Sequence, residues 1–208
     1  TTKLYRAVVR LGVTTDTDDA EGRVLAERPV PDVTRASLES ALERFRGRIE
    51  QVPPSYSALK RGGTPLYKMA RAGKEVAVEA RTVTVLRLDL LDVAPPLLTL
   101  EVECGKGTYI RALARDLGEL LGCGAHLRAL ERRRVGAFAL EDGVSLDDLE
   151  AARREGRLEE LLEPVDAVLT QMAAAILGDE KARAVRNGQS VAFPADGTEQ
   201  CRAYSWDG

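Results

Sequence analysis

Two arginines four residues apart, Arg111 and Arg115, open the periodic run IRALARDLGELL. They belong to a segment, residues 104–136, with seven basic residues (Lys106, Arg111, Arg115, Arg128, Arg132, Arg133, Arg134) against three acidic ones (Asp116, Glu119, Glu131), in a chain of net charge −3. A cation near a helix N-terminus opposes the macrodipole at a cost of roughly 0.3–1 kcal/mol. A carboxylate or a phosphate beside it would remove the conflict, and an arginine fully in water needs neither. Charge recognition is the chemistry these residues suggest.

Other chemistries have little to work with. The chain has one histidine, His126, around which any Ser-His-Asp triad, Cys-His dyad or multi-histidine metal site would have to be built. Cys104, Cys123 and Cys201 form no C-x-x-C pair and leave one over, which argues against a disulfide framework and a structural zinc site. No glycine-rich dinucleotide or nucleoside-triphosphate loop occurs. No dinucleotide, nucleoside triphosphate or structural zinc is signalled.

With 208 residues, 44% hydrophobic and 30% charged, the chain can bury a core and fold as one domain of ordinary size, with room for a small second one. It has no apolar run of about 18 residues and no signal-peptide pattern at its start, so no membrane association is expected and the cytosol is the default compartment.

The elements that must position the arginines can be read from periodicity. KLYRAVVRL (residues 3–11) suits a strand, and a polar turn, TTDTDDAEG, leads to a second short strand, RVLAERPV, as if the two formed a hairpin. Leu38, Ala41, Leu42 and Phe45 predict an amphipathic helix with Thr34 as cap and Gly47 as stop. Residues 51–81 are interrupted by Pro53, Pro54, Gly62, Gly63, Pro65 and Gly73. From Lys60 to Arg87 the chain carries seven basic and two acidic residues, with Tyr67 among them, and reads equally as a solvated excursion or a polyanion contact.

Two strands follow, TVTVLRLDLLDV and LLTLEVEC, the second placing Leu98, Leu100, Val102 and Cys104 on one face. Next comes the helix of Arg111, with an apolar stripe of Ile110, Leu113, Ala114, Leu117, Leu120 and Leu121, Thr108 placed to cap and Gly122 to terminate. From Glu141 to Asp166 there are ten acidic residues and three arginines, a solvated helix-rich connector whose apolar face is Leu146, Leu149, Leu158, Leu161 and Leu162. NG and DG turn signals beyond it suggest a small β module. Basic middle segments beside an acidic connector form the footprint of a polyanion-binding face, whose affinity would fall with salt.

Six motifs in order carry a family resemblance: LG-x-x-TDT-x-D-x-x-G (11–22), Q-x-PP-x-YSA-x-K (51–60), LY-x-x-AR-x-G (66–73), K-GTYIR (106–111), DLG-x-x-LG-x-GAHL (116–127) and L-x-RR-x-x-G-x-F (130–138). Together they resemble the tRNA pseudouridine synthase B family, in its stand-alone bacterial form. The resemblance implies an α/β (α+β) pseudouridine synthase fold with a mixed, largely antiparallel sheet over residues 1–168. It also implies an RNA-binding insertion at 51–81 and a partial PUA-like small β domain at 169–208.

The implied activity is isomerisation of uridine 55 in the T loop of tRNA to pseudouridine, without metal or organic cofactor, by a monomer, with the tRNA T arm as partner. By the same resemblance Tyr5 stacks on the target base, Arg111 pairs with the catalytic aspartate, Tyr109 and Leu130 line the uracil pocket, and Lys106 lies near the RNA. Lys60, Tyr67, Lys68, Arg71, Arg132 and Arg133 are the RNA-binding candidates. The family's usual Cys-Ser-Lys reads Cys104-Gly105-Lys106 here, a change in one small loop side chain.

A larger departure concerns the nucleophile. The family's aspartate lies in a Gly-His-Thr-Gly-x-Leu-Asp-Pro type loop ahead of the Tyr5 strand, and these 208 residues contain no such loop, so the chain by itself is expected to be inactive. Asp16, Asp18 and Asp19 coincide with the family's TDT-x-D turn and read as turn-stabilising side chains. The alternatives are a non-catalytic RNA-binding or RNA-folding protein on the same scaffold and, with no glycine-rich cofactor loop to support it, an RNA methyltransferase.

Overall fold

A computed structural model describes residues 1–54, 56–57, 60–61, 64–65, 69, 78–192 and 200–206. They fall into two compact units, Thr1–Gly143 and Val144–Gly208. The first unit contains β1 (Lys3–Leu11), β2 (Val13–Thr15), β3 (Val24–Glu27), α1 (Arg35–Leu42), β4 (Gly47–Gln51), β5 (Lys60–Arg61), β6 (Thr64–Pro65), β7 (Arg81–Ala94), β8 (Leu97–Cys104), α2 (Ile110–Leu120), β9 (Ala125–Val135) and β10 (Phe138–Ala139). The second contains α3 (Leu146–Glu155), β11 (Ala173–Leu177), α4 (Asp179–Arg186) and β12 (Cys201–Ser205).

Six strands of the first unit form one sheet in the order β10-β9-β1-β8-β7-β4, every neighbouring pair antiparallel. Alternation along the strands puts Ala7, Val9 and Leu11 of β1 on the same face as Leu98, Leu100, Val102 and Cys104 of β8, all essentially fully buried. Leu38 and Leu42 of α1, with Ile110, Leu113, Ala114 and Leu117 of α2, complete that core. The apolar stripe anticipated for α2 is thus its buried side, apart from Leu120, which is 38% exposed.

Thr34 caps α1 as anticipated: its hydroxyl accepts from the Ser37 N–H, and the Ser37 hydroxyl answers on the Thr34 backbone. Gly47, with φ +80°, starts β4 just beyond the helix.

The hairpin anticipated between residues 3–11 and the RVLAERPV strand does not form. Both edges of β1 are occupied, by β8 and β9, so its hydrogen-bonding groups are already spent. The chain turns at Gly12 (φ +82°) into β2, and it is β2 that pairs with β3. A Cβ at Gly12 would also meet the Arg28 carbonyl and the Val30 side chain at 2.8 Å. The TDTDD turn of this smaller hairpin lies along the stretch of β9 that β10 leaves unpaired, where the Leu127 N–H donates to the Asp18 carbonyl at 3.0 Å and Asp19 bridges to Leu127.

In the second unit α3 is capped by Ser145 and stopped by left-handed Gly156. The division between the two compact units falls at Gly143. Asp166, near the end of the acidic connector, accepts from Arg202 and from the Tyr204 hydroxyl, so the connector belongs with the C-terminal residues. There β11 and β12 pair in parallel, with α4 between them in the chain.

Candidate active site

Helix α2 delivers Arg111 from its first turn without a side-chain cap at its N-terminus. Thr108, expected to cap, instead donates to the Gly105 carbonyl at 3.3 Å. The N-cap is Tyr109, and its backbone is held by a side chain from another element. Gln51, at the end of β4 and 1% exposed, accepts from the Tyr109 N–H at 2.8 Å and donates to the Tyr109 carbonyl at 3.1 Å. A buried amide that satisfies both backbone groups leaves neither orphaned at a helix start. Gln51 opens the Q-x-PP motif, but nothing local in the sequence identifies its partner.

The anion beside Arg111 is a carboxylate. The Arg111 guanidinium donates to Asp19 Oδ2 at 2.8 Å, to the Thr17 carbonyl at 3.1 Å and to the Tyr56 carbonyl at 2.9 Å. Asp19 uses its other oxygen for the turn, accepting from the Thr17 hydroxyl at 2.8 Å and the Glu21 N–H at 3.1 Å. The turn-stabilising reading of the aspartate cluster is therefore incomplete, because one carboxylate serves both the turn and the arginine. An arginine fork fixes the direction of the carboxylate it meets.

One turn along the helix, Arg115 pairs with Asp18 at 2.9 Å and with Asp116. Burial pushes the Asp18 carboxyl above its ordinary range, against the pull of Arg115. Burial lowers Arg115, but the Asp116 and Asp18 carboxylates outweigh it and leave its pKa raised.

Tyr5 and Arg132 are cross-strand partners on β1 and β9, the guanidinium 5.6 Å from the ring centroid. Leu130 lies opposite Ala7 and is 47% exposed. With Ala7 on the core face, these side chains share the side of the sheet against which α2 packs. Tyr109 carries the Arg81 guanidinium 5.0 Å from its ring centroid, and Arg81 also donates to the Gly107 carbonyl. Lys106 is exposed in the preceding turn.

Arg133 is engaged by Glu131 and Glu141, and Arg134 by Glu103. Four of the seven basic residues in the opening segment are thus matched by carboxylates within the fold, leaving Lys106, Arg128 and Arg132 with no recorded ion pair among the described residues. Lys60 lies in β5, while Tyr67, Lys68 and Arg71 fall outside the described residues. Among those described, no cluster of three or more His, Cys, Asp or Glu side chains could hold a metal, and no helix is long and apolar enough to cross a membrane.

Of the sequence candidates, Tyr109 and Arg111 are thus neighbours at the start of α2, and Tyr5, Leu130 and Arg132 share one face of the β1–β9 pair. Solved structures share this scaffold. One, the crystal structure of a Cbf5-Nop10-Gar1 complex, is 25% identical with a TM-score of 0.66, covering 90% of this chain and 49% of that one. Another, an H/ACA RNP bound to a substrate RNA containing 2'-deoxyuridine, is 21% identical with a TM-score of 0.65 and supports the fold alone. The fold is that of the pseudouridine synthases, α+β with a largely antiparallel sheet.

Residues 1–110 match the N-terminal domain of TruB family pseudouridylate synthases, and residues 111–170 the C-terminal domain of tRNA pseudouridylate synthase B. The chain belongs to the TruB family. It is 52% identical over 195 residues to tRNA pseudouridine synthase B of Pseudomonas aeruginosa (strain UCBPP-PA14), covering 92% of this chain and 64% of that protein. To the protein of the same name from Ralstonia nicotianae (strain ATCC BAA-1114 / GMI1000) it is 51% identical over 208 residues, covering 97% and 66%. The chain thus spans just under two thirds of the length of these relatives.

Proposed function

We propose that this chain serves the conversion of uridine to pseudouridine in tRNA, at uridine 55 of the T loop. In that reaction the glycosidic bond breaks, the base rotates, and its C5 is rejoined to the sugar. The base must first leave the RNA stack, at a cost of a few kcal/mol. Tyr5 offsets part of this by stacking, at roughly 1–3 kcal/mol per base. Tyr109 and Leu130 flank the uracil, Arg111 orients a carboxylate, and Lys106, Arg132 and the 51–81 insertion meet the phosphates of the T arm.

The observation that carries this reading is the three-way hold on Arg111 at the start of α2, beside Tyr109, in a chain of this family. Such an arrangement prepares the guanidinium for a carboxylate and prevents it from wandering into solvent.

A second reading, RNA binding without chemistry, draws on the same arginine. Arg111 already holds Asp19, and no Gly-His-Thr-Gly-x-Leu-Asp-Pro loop occurs in the 208 residues. Tritium release from tRNA labelled at uridine C5 separates the two. The 208 residues are expected to bind the T arm without release, and the complete gene product to release tritium at one position. Binding by both without release by either would favour the second reading. Release by the 208 residues would overturn the view that the nucleophile lies outside them. Neutralising Lys68 and Arg71 together should weaken binding and flatten its salt dependence.

A further inference from the structure

Arg111 and Arg115 stand one helical turn apart and make two parallel clamps. Arg111 joins Asp19 to the Tyr56 carbonyl; Arg115 joins Asp18, at 2.9 Å, to the Val52 carbonyl, at 2.8 Å. Each clamp therefore ties the β2–β3 turn to the first residues of the 51–81 insertion, with α2 between them. The Arg111 clamp belongs to the site described above. The Arg115 clamp has no role there.

We propose that Asp18 and Arg115 are a positioning pair: by locking the residue before Asp19 to α2 and to Val52, they set where Asp19 meets Arg111 and couple the turn to the foot of the insertion. Three observations support it. Asp18 has φ +61° and is the one non-glycine residue of positive φ among those described. Such a conformation persists where its surroundings over-determine it.

Both charged side chains are largely withdrawn from water, at 15% exposure for Asp18 and 20% for Arg115. Burying a charge pair is a poor route to stability, since desolvation consumes most of the attraction, whereas a buried pair does fix geometry. Finally, Val52 contributes its carbonyl while its side chain is 44% exposed, and Pro53 and Pro54 after it are buried. What the clamp holds is the course of the backbone into the insertion.

Two substitutions test this. Asp18→Asn keeps the size and the tolerance of a left-handed backbone but removes the charge. Arg115→Lys keeps the charge but loses the fork that reaches Asp18, Asp116 and the Val52 carbonyl together. Amide hydrogen exchange on the 208-residue chain should rise in 15–22 and also at Gln51 and Val52, the two amides ahead of Pro53, for either variant, with the thermal midpoint lowered by no more than about 4 °C. Faster exchange confined to the substituted segment, or none, overturns the coupling. So does general unfolding of both variants, which would make the pair structural.

In the complete gene product, resting on the functional reading above, either variant should lower kcat about tenfold and leave KM for tRNA within about twofold, and the double variant should add little. Unchanged kcat overturns the positioning role. If the unsubstituted protein forms no pseudouridine, the functional reading fails alone, and the exchange result still decides the coupling.

Discussion

Helices α2 and α3 are nearly equal in length, eleven and ten residues, and follow opposite rules. In α3 Ser145 caps the start, Asp147 and Asp148 occupy the first turn, Arg153 and Arg154 the last, and Gly156 stops it in the left-handed conformation. Every local device agrees with the helix, yet of its residues only Ala152 is buried. In α2 there is no side-chain cap, no acidic residue in the first turn, and an arginine where the macrodipole disfavours one. Yet it buries Ile110, Ala112, Leu113, Ala114, Leu117 and Gly118. Full burial of a leucine is worth about 1.5–3 kcal/mol, several times the dipole penalty, so packing holds α2 in place despite its N-terminus. A local rule broken where tertiary structure can carry the cost marks a site shaped for function.

The largest effect that would test this contrast is at Arg111. In the complete gene product Arg111→Ala is expected to lower turnover roughly a hundredfold or more while changing tRNA affinity by only a few-fold, measured by single-turnover tritium release and filter binding. Arg153→Ala on α3, an exposed arginine that agrees with its dipole, should change stability by less than about 0.5 kcal/mol and turnover not at all. Equal effects at the two positions would mean that the arginine of α2 is as ordinary as that of α3.

Next in size is Gly118→Ala. On propensity alone the change favours a helix by about 1 kcal/mol. At this position a Cβ would lie 2.2 Å from the Ala125 nitrogen, because the helix runs directly against the start of β9. The backbone cannot yield cheaply there, and we expect a net loss of about 1–3 kcal/mol in urea unfolding. A gain in stability would show that α2 obeys propensity after all and that its packing is looser than the core implies.

The same contrast explains what the sequence could show. The apolar stripe of α2, the Thr34 cap and the core face of β8 repeat at fixed local spacings, so they were readable. The place of Arg111 near a helix start raises the choice between an anion and plain solvent without deciding it. That Asp19 supplies the anion was not readable, because the two are 92 positions apart and Asp19 already had a sufficient local role in its turn. Gln51 escaped for the same reason: its amide closes on Tyr109, 58 positions away, while Thr108 offered a cap that looked adequate. Strand character in the sequence does not say which neighbour takes each edge, so the pairing of β1 with β8 and β9, and of β2 with β3, is not legible in it. Ser145 was local and could have been found as an N-cap serine opening the run that contains Leu146 and Leu149.

The smallest effect is at that serine. Its hydroxyl accepts from the Asp148 N–H at 3.1 Å, satisfying one of the donors that a helix leaves unpaired at its start. Ser145→Ala should cost about 1 kcal/mol, the usual value of an N-cap, with Ser145→Gly or Ser145→Asp restoring most of it. Because α3 buries so little, the loss should appear as local fraying, seen as faster amide exchange at 146–149, with the first unit unaffected. The corresponding change on α2, Thr108→Ala, removes a 3.3 Å bond to the Gly105 carbonyl and a contact with the Cys104 thiol, neither of them a helix cap, and should leave the helix start intact, since Gln51 holds it. If Thr108→Ala frayed α2 as Ser145→Ala frays α3, both helices would depend on local capping, and the difference between them would lie in burial alone.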